Sequence, residues 1–535
     1  MNKKIFFVLI FITLVSIFLN IYKKNQSPPC FNADEAANGY NAYSILKTGR
    51  DEYGKLLPLR FKSFGDYKMP IFTYLSVPFI WLFGLSEEVT RLSNVFIALL
   101  FPWIIFFLVS ELFNNKKIGI IASFLVATSL GLQIIGRQAH EGYISAFLVC
   151  GACLFFIRYV KKQSAISQVL FYLSILLMLF SYQSARVFAL LFLMISIIFL
   201  IKKKIKSFWF VGILIIVMGF FLVTDIIYKP ARLGNLIFYK NLGFSLKINE
   251  LRGEGGKRFL YNKATIGIND LINECSKYFS PQFLAVDGDA NLRFGFFGMA
   301  SMTMLVYVFI FIGIFYLFKN NERWRYLIMV FFLSSAITGA LSWAGTSITR
   351  SLFIVVVANI IAAYGFYNLL MDFKKVKRNL IFISLFVLQL YFLFFAWDFY
   401  FNHYPKRAVV VRSWQCGYKE LASYIKNNYD KFDRFYITKK NGQPYIFLLF
   451  YLNYPPKKYQ AQANLSAPDE YGFGQVERFD KFEFNFKDPQ KLKKEVTVGY
   501  PDDFSGLKEI NSDRVKKIKV GGEEIFWIFE QPLDK

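Results

Sequence analysis

An adjacent pair of carboxylates, Asp34-Glu35, a lysine at 68 followed by Met69-Pro70, and tyrosines at 40, 43, 53 and 67 all fall within one polar stretch, Asn32 to Pro70. Carboxylates can take a proton from a hydroxyl or orient it, and ammonium or guanidinium groups can hold a phosphate. Tyrosine faces can lie on sugar or prenyl surface, although Tyr also collects at membrane interfaces without any ligand. Further along, ionisable side chains interrupt otherwise apolar sequence at Arg91, Arg137, His140, Glu141, Arg186 and Arg350. Charges at the ends of apolar segments are costly unless solvated or paired, so a set drawn from different loops points to a site for a charged ligand.

Each of these residues also has a plainer use. Asp34-Glu35 can cap a helix beginning near Ala36, because Asp is a preferred N-cap. Arg91, Arg137 and Arg186 can anchor their segments at a membrane interface. His140-Glu141 lacks a second histidine at the spacing a zinc protease needs. Asp287-Gly288-Asp289 has the carboxylates a hard cation prefers, but the sequence around it is good turn chemistry, so no metal is expected. Cys150 and Cys153 sit in an apolar run and read as small buried residues, and the five cysteines suggest no disulfide or metal framework.

The elements that must position these side chains are set by composition. A chain of 535 residues that is 55% hydrophobic and 19% aromatic is too apolar for a soluble enzyme and reads as a polytopic membrane protein. Its net charge of +26 comes from Lys and Arg clustered between apolar runs, which is orientation coding and not a nucleic-acid surface. The run Ile5 to Ile21 follows Lys3 and Lys4 and lacks a small-residue cleavage site, so it reads as a retained first span. Met69 to Leu85 is short and carries Pro70 and Pro78, which suits a helix along the outer surface or a returning half-span. Spans follow near 89–113, 118–135, 143–160, 166–184, 187–201, 208–227, 299–318, 325–343, 351–371 and 379–397. Basic clusters after alternate spans make a consistent topology of about eleven helices, N-terminus inside and C-terminus outside. The first outer loop (23–88) and a long outer loop (228–298) then face the same side as everything after 398.

From Phe399 to Lys535 the composition turns polar. GYKELASYIKNN (417–428) reads as an amphipathic helix, and FDRFYIT and EEIFWIF alternate as strands do. The expectation is a membrane module, 1–398, followed by an α/β domain, 399–535, that serves as lid or scaffold.

The order Asn32-x-Asp34-Glu35, Tyr40-Asn41-Ala42-Tyr43-Ser44-Ile45-Leu46, Gly49, then Gly65-Asp66-Tyr67-Lys68-Met69-Pro70, Phe83-Gly84-Leu85-Ser86-Glu87 and Arg91-Leu92-Ser93 resembles the first outer loop of the GT-C membrane glycosyltransferases. The branch it is most similar to is glycosyltransferase family 39, which holds the protein mannosyltransferases and aminoarabinose transferases. That resemblance implies transfer of a sugar from a polyprenyl-phosphate donor to a hydroxyl acceptor (protein, lipid or glycan) at the outer face of a bacterial cytoplasmic membrane, without a cofactor. It implies Asp34 as the catalytic acidic residue and Lys68 as a ligand of the donor phosphate, with Glu141 as a second acidic residue. Met69 departs from the family's Lys-Pro-Pro. Glu35, Tyr40, Arg137, Arg186 and Arg350 complete the expected substrate-binding set. A transporter or flippase for lipid or polysaccharide is the alternative, but it should show internal repeats and mid-span charges, and neither is found in this sequence.

Overall fold

The computed structural model describes residues 2–64, 66–202, 208–228, 242–296, 298–341, 345–467, 474–489, 494–505 and 515–531. Gly65, most of the basic cluster at 202–206 and positions 229–241 of the long outer loop lie outside the described residues. The chain divides into two compact units. A helical unit comprises Met1–Tyr22 and Asn94–Tyr400, and a loop unit comprises Lys23–Ser93 and Phe401–Lys535.

In the helical unit, apolar helices stand at every position where the sequence predicts a span. Among the described residues, five helices are by themselves long and apolar enough to cross a membrane: Lys3–Ile21, Glu87–Phe113, Glu141–Lys162, Ile348–Met371 and Lys375–Lys406. Several others are shorter, and one predicted span is two helices, Lys116–Thr128 and Leu130–Gly136, bent by 58°. The break comes at Ser129, whose hydroxyl donates to Ser301 O at 2.8 Å while Gly131 N donates to the same oxygen at 3.0 Å. A distant carbonyl thus takes donors at the kink.

Helix Ile348–Met371 is the axis of this unit: 78% of its apolar window is buried, against 17% for Lys375–Lys406. It crosses Met304–Lys319 so closely that a Cβ on Gly313 would lie 2.1 Å from Ile361 O, and one on Gly365 would lie 2.5 Å from Gly313 N. Small residues at a helix crossing let backbones meet, which is how apolar helices gain packing where water supplies no driving force.

The loop unit joins sequence-distant segments. The polar stretch folds as helix Ala33–Thr48, a hairpin of β1 (Phe61–Ser63) and β2 (Asp66–Lys68), and helix Pro70–Phe83. The C-terminal segments add helices Tyr418–Asn428, Pro444–Tyr451 and Pro456–Gln462 and a mixed seven-stranded sheet. Its strands are β3 (Arg434–Ile437), β4 (Asn464–Leu465), β5 (Val476–Phe479), β6 (Phe482–Glu483), β7 (Glu495–Gly499), β8 (Val515–Val520) and β9 (Glu523–Gln531), ordered β4-β5-β6-β3-β7-β9-β8. Central β3 lies parallel to both neighbours, with Phe435 opposite Phe482 and Val496. Burial on both faces suits its run of aromatic and branched residues. The helix at 418–428 and the strands at 434–437 and 523–531 fall where the sequence predicts them.

One expectation is overturned here. Cys30 and Cys416 form a disulfide, with Cα atoms 5.4 Å apart across 386 residues of sequence. Cys150 and Cys153 are buried free thiols, as their apolar run predicts.

Candidate functional site

The candidate residues fall into two clusters, one within each unit. In the loop unit, helix Ala33–Thr48 begins three residues earlier than expected, because Asn32 and Glu35 form a capping box. Asn32 Oδ1 accepts from Glu35 N at 3.1 Å, and Glu35 Oε2 accepts from Asn32 N at 3.3 Å. This satisfies helix-end donors reciprocally, with Asp34 beside the box in the first turn. A carboxylate in that turn also lies in the favourable end of the helix dipole.

Lys68 Nζ lies 3.1 Å from Asp34 Oδ1 and donates to Asp34 O at 2.9 Å. Lys68 is the last residue of β2, paired with Phe61 across the hairpin, so the hairpin register determines where the ammonium group sits. The Asp34 side chain is 50% exposed, and that of Lys68 is 16% exposed. An acid and a base held in contact at a half-open helix end can address a hydroxyl and a phosphate together.

Glu35, the next residue, is buried and committed. Its two oxygens receive Arg91 Nε and Nη2, each at 2.8 Å. Arg91 also donates to Cys30 O at 3.0 Å and Lys24 O at 3.3 Å, and its guanidinium stacks on the Phe31 ring. This fork-to-fork pair ties the first turn of helix Ala33–Thr48 to the residue just before the long helix Leu92–Phe113. Tyr40 is fully buried, its hydroxyl donating to Tyr454 O at 2.9 Å and its ring packed edge-on against Tyr459. Burial, reinforced by the nearby Glu52, raises its hydroxyl far above the ordinary tyrosine value. A second carboxyl, Glu52, is 1% exposed and exchanges bonds with Asn41 at 3.0 and 3.2 Å. Burial is the main cause that pushes it up to about 8.

In the helical unit, Arg137 is fully buried and donates to Leu19 O and, at 2.7 Å, to Tyr22 O. It therefore caps the end of helix Lys3–Ile21 while its guanidinium lies 5.5 Å from the Tyr400 ring centre. Asn94 supports the same loop, donating to Gln138 O at 2.7 Å and His140 O at 2.9 Å. His140 is the N-cap of helix Glu141–Lys162, its Nδ1 accepting from Gly142 N at 3.0 Å. Glu141 occupies the first turn of that helix and is 6% exposed. Arg186 sits in the first turn of Ala185–Ile201 with its guanidinium 4.7 Å from the Phe221 ring centre.

Arg350 sits in the first turn of helix Ile348–Met371 beside Asp289, the second carboxylate of the Asp-Gly-Asp turn. Asp289 Oδ2 accepts from Ile348 N at 2.6 Å, and Oδ1 accepts from Asn291 N at 2.7 Å. Burial raises its carboxyl to about 6, and those backbone donors followed by Arg350 pull the other way. Tyr278 OH accepts from Ser347 N at 3.1 Å beside it. The turn is thus used to cap a helix from a distance, and among the described residues no three His, Cys, Asp or Glu side chains gather as a metal set.

Sequence reasoning missed Glu52, Asp289 as a helix cap, and the Cys30–Cys416 link. Sorting cysteines by segment separates Cys150 and Cys153 from Cys30, Cys275 and Cys416 in polar stretches, but does not choose the pair among those three.

Residues 68–226 match the family model of dolichyl-phosphate-mannose-protein mannosyltransferases. No curated protein matches the sequence. Among solved structures, ArnT from Cupriavidus metallidurans in the apo state superposes with a TM-score of 0.54 at 11% identity, covering 98% of this chain and 97% of that one. The same enzyme bound to undecaprenyl phosphate gives 0.54 at 10% identity, covering 99% and 98%. The apo oligosaccharyltransferase of Archaeoglobus fulgidus gives 0.51 at 14% identity, and this chain covers 63% of that one with 83% of itself. Over nearly its whole length the chain shares the GT-C fold of ArnT, and its residues 68–226 match the dolichyl-phosphate-mannose-protein mannosyltransferase model.

Proposed function

We propose that this chain is a membrane glycosyltransferase that moves a sugar from a polyprenyl-phosphate-linked donor to a hydroxyl acceptor. The observation that carries the reading is the Asp34–Lys68 pair at the half-open start of helix Ala33–Thr48, within a chain whose residues 68–226 match a mannosyltransferase family. The undecaprenyl-phosphate complex of the similarly folded ArnT supports the class of donor. Asp34 takes the proton of the acceptor hydroxyl, whose oxygen attacks the anomeric carbon. The bond from that carbon to the phosphate oxygen breaks, and polyprenyl phosphate leaves carrying the electron pair. Lys68 meets the charge on that phosphate; Arg186 and Arg350, in the helical unit, stay as the cationic candidates the sequence offers. Glu141 is the second acidic residue. Glu35, Tyr40 and Arg137 act one step back from the substrate, because their polar groups are occupied in holding the loops.

The disulfide bears on location. Such bonds persist in oxidising compartments, so Cys30–Cys416 supports a loop unit on the outer face of a bacterial cytoplasmic membrane and a cytoplasmic N-terminus. The domain limits 1–398 and 399–535 belong to the same proposal, with residues 23–93 as the part of the first that folds with the second.

The test is sugar transfer from a polyprenyl-phosphate donor in reconstituted membranes. Asp34→Asn should lower turnover by roughly 10²- to 10⁴-fold, the usual worth of a positioned acid or base, with an unchanged thermal midpoint. Wild-type turnover in the folded variant would remove Asp34 from the mechanism.

A further inference from the structure

Asp34 is held from the far end of the chain. The N–H groups of a helix's first turn have no partner within the helix. Here the first of them, Ala33 N, donates to Gln415 Oε1 at 3.0 Å, across 382 residues of sequence. Gln415 does not hang loose: its Nε2 donates to Asn441 O at 3.0 Å, and its backbone sits at φ 55°, a left-handed conformation that a non-glycine residue adopts only when its surroundings hold it there. On one side Trp414 is fully buried, its indole N–H donating to Tyr404 OH at 2.7 Å. On the other side Cys416 is bonded to Cys30, two residues before the helix cap Asn32. The same helix is held along its length by Phe450, whose ring lies where a Cβ on Gly39 would be, and by Tyr454, which receives the Tyr40 hydroxyl.

From this geometry we propose that Trp414-Gln415-Cys416 is the positioning element for Asp34, and that sugar transfer depends on the oxidised Cys30–Cys416 link. The proposal rests on reading Asp34 as the acidic catalytic residue. The link and the Gln415 bond lie on either side of the helix start, so together they remove two freedoms: sliding of the turn along its axis and rotation about the cap. Opening the disulfide removes the one covalent tie beside the helix start and leaves non-covalent contacts, the Gln415 bond among them, to place a carboxylate that must meet a hydroxyl within hydrogen-bond reach. A misplacement of about 1 Å is enough to cost roughly 10²-fold in rate. Chemically the opening is a two-electron exchange: a dithiol reductant gives up two hydrogens, closes to a cyclic disulfide, and leaves Cys30 and Cys416 as thiols.

The experiment uses the full-length protein in liposomes with a polyprenyl-phosphate sugar and a hydroxyl acceptor. Oxidised wild type, wild type treated with dithiothreitol, wild type reoxidised after treatment, Gln415→Met and Asp34→Asn are compared for kcat, for donor KM and for thermal midpoint. Alkylation and intact mass report the number of free thiols. Reduction should lower kcat roughly 10- to 100-fold with donor KM within about twofold, and reoxidation should restore it. Gln415→Met should lower kcat in the same direction with the disulfide intact. Reduced protein with two additional alkylated thiols and unchanged kcat overturns the proposal, as does Gln415→Met at wild-type kcat. A loss of activity that occurs only with a collapsed thermal midpoint also overturns it, since the link would then be a staple for the fold and not a positioner. If Asp34→Asn retains turnover, the catalytic reading itself fails. If Asp34→Asn is inactive and reduction changes nothing, only the positioning proposal does.

Discussion

Two buried arginines, one in each unit, look alike in the sequence and do different work. In the loop unit Arg91 meets a carboxylate, Glu35, through two bonds of 2.8 Å, and its remaining donor capacity goes to backbone carbonyls. In the helical unit Arg137 has its bonds to Leu19 O and Tyr22 O at the end of a helix, with Tyr400 beneath it. The first is a charge neutralised by a charge. The second gives donors to backbone carbonyls at a helix end. The pair Asp34–Lys68 is a third case, an acid and a base in contact with the Asp34 side chain half open to solvent. What sets the proposed catalytic pair apart from the two buried arginines is the exposure of Asp34, which residue type does not reveal.

Breaking the charge-to-charge case should cost most. Glu35→Gln leaves the Arg91 guanidinium buried beside a neutral amide, and removing one partner of a buried pair costs about 3–5 kcal/mol. Against a total stability of about 5–15 kcal/mol for a typical protein, that is a large share. The expected outcome is a strongly lowered thermal midpoint in detergent, whereas Asp34→Asn, one residue away, should lose activity and keep its midpoint. Equal midpoints for the two variants would erase the distinction drawn between neighbouring carboxylates.

Loss of the Arg137 bonds to carbonyls should cost less. Arg137→Met keeps the aliphatic stem against the core and removes its charge-assisted bonds to Leu19 O and Tyr22 O, worth about 1.5–3 kcal/mol each. The loss falls on carbonyls at a helix end, where water or a tightened last turn can replace the donor. A moderate drop in thermal midpoint is expected, smaller than that of Glu35→Gln. A drop as large or larger would mean that the helix end at Tyr22 is the more critical joint.

The same contrast explains what the sequence could and could not say. Apolar runs revealed where the helices lie, because burial in lipid or in a helical core needs little beyond continuous hydrophobicity. The break at Ser129 was hidden, since Ser123 to Gly136 contains no proline and the kink is made by Ser301, far away in sequence. The cap of helix Ala33–Thr48 was legible as Asn32-x-x-Glu35, a capping-box pattern, yet placing the start at Ala36 assigned the capping to the wrong residues. Asp34 and Lys68 stand out in the sequence as opposite charges in one polar stretch, but their contact does not, because it is made by the β1–β2 hairpin. Gln415, Cys416 and Tyr454 carry no local signal of any relation to residues 30–40, and contacts across such separations are written in the fold.

Glu52 provides the smallest and most conditional effect, and it compares a buried carboxyl without a cation bound to it against Glu35, which has one. Its carboxyl is pushed up to about 8 from an ordinary 4.5, first by burial, with the Asn41 bond opposing and Asp51 adding. The folded state therefore holds a proton that the unfolded chain releases. The sign follows: the stabilisation is complete below about pH 4.5, declines as the unfolded state deprotonates, and is lost as pH rises through about 8. Glutamine cannot ionise, and its Oε1 can still accept from Asn41 Nδ2 as Glu52 does at 3.2 Å. Glu52→Gln should accordingly match wild type near pH 5 and melt a few degrees higher at pH 8, with turnover close to wild type at both. A wild-type midpoint that stays level with the variant across that interval would mean that Glu52 is charged in the folded protein, with a cation nearby meeting it as Arg91 meets Glu35.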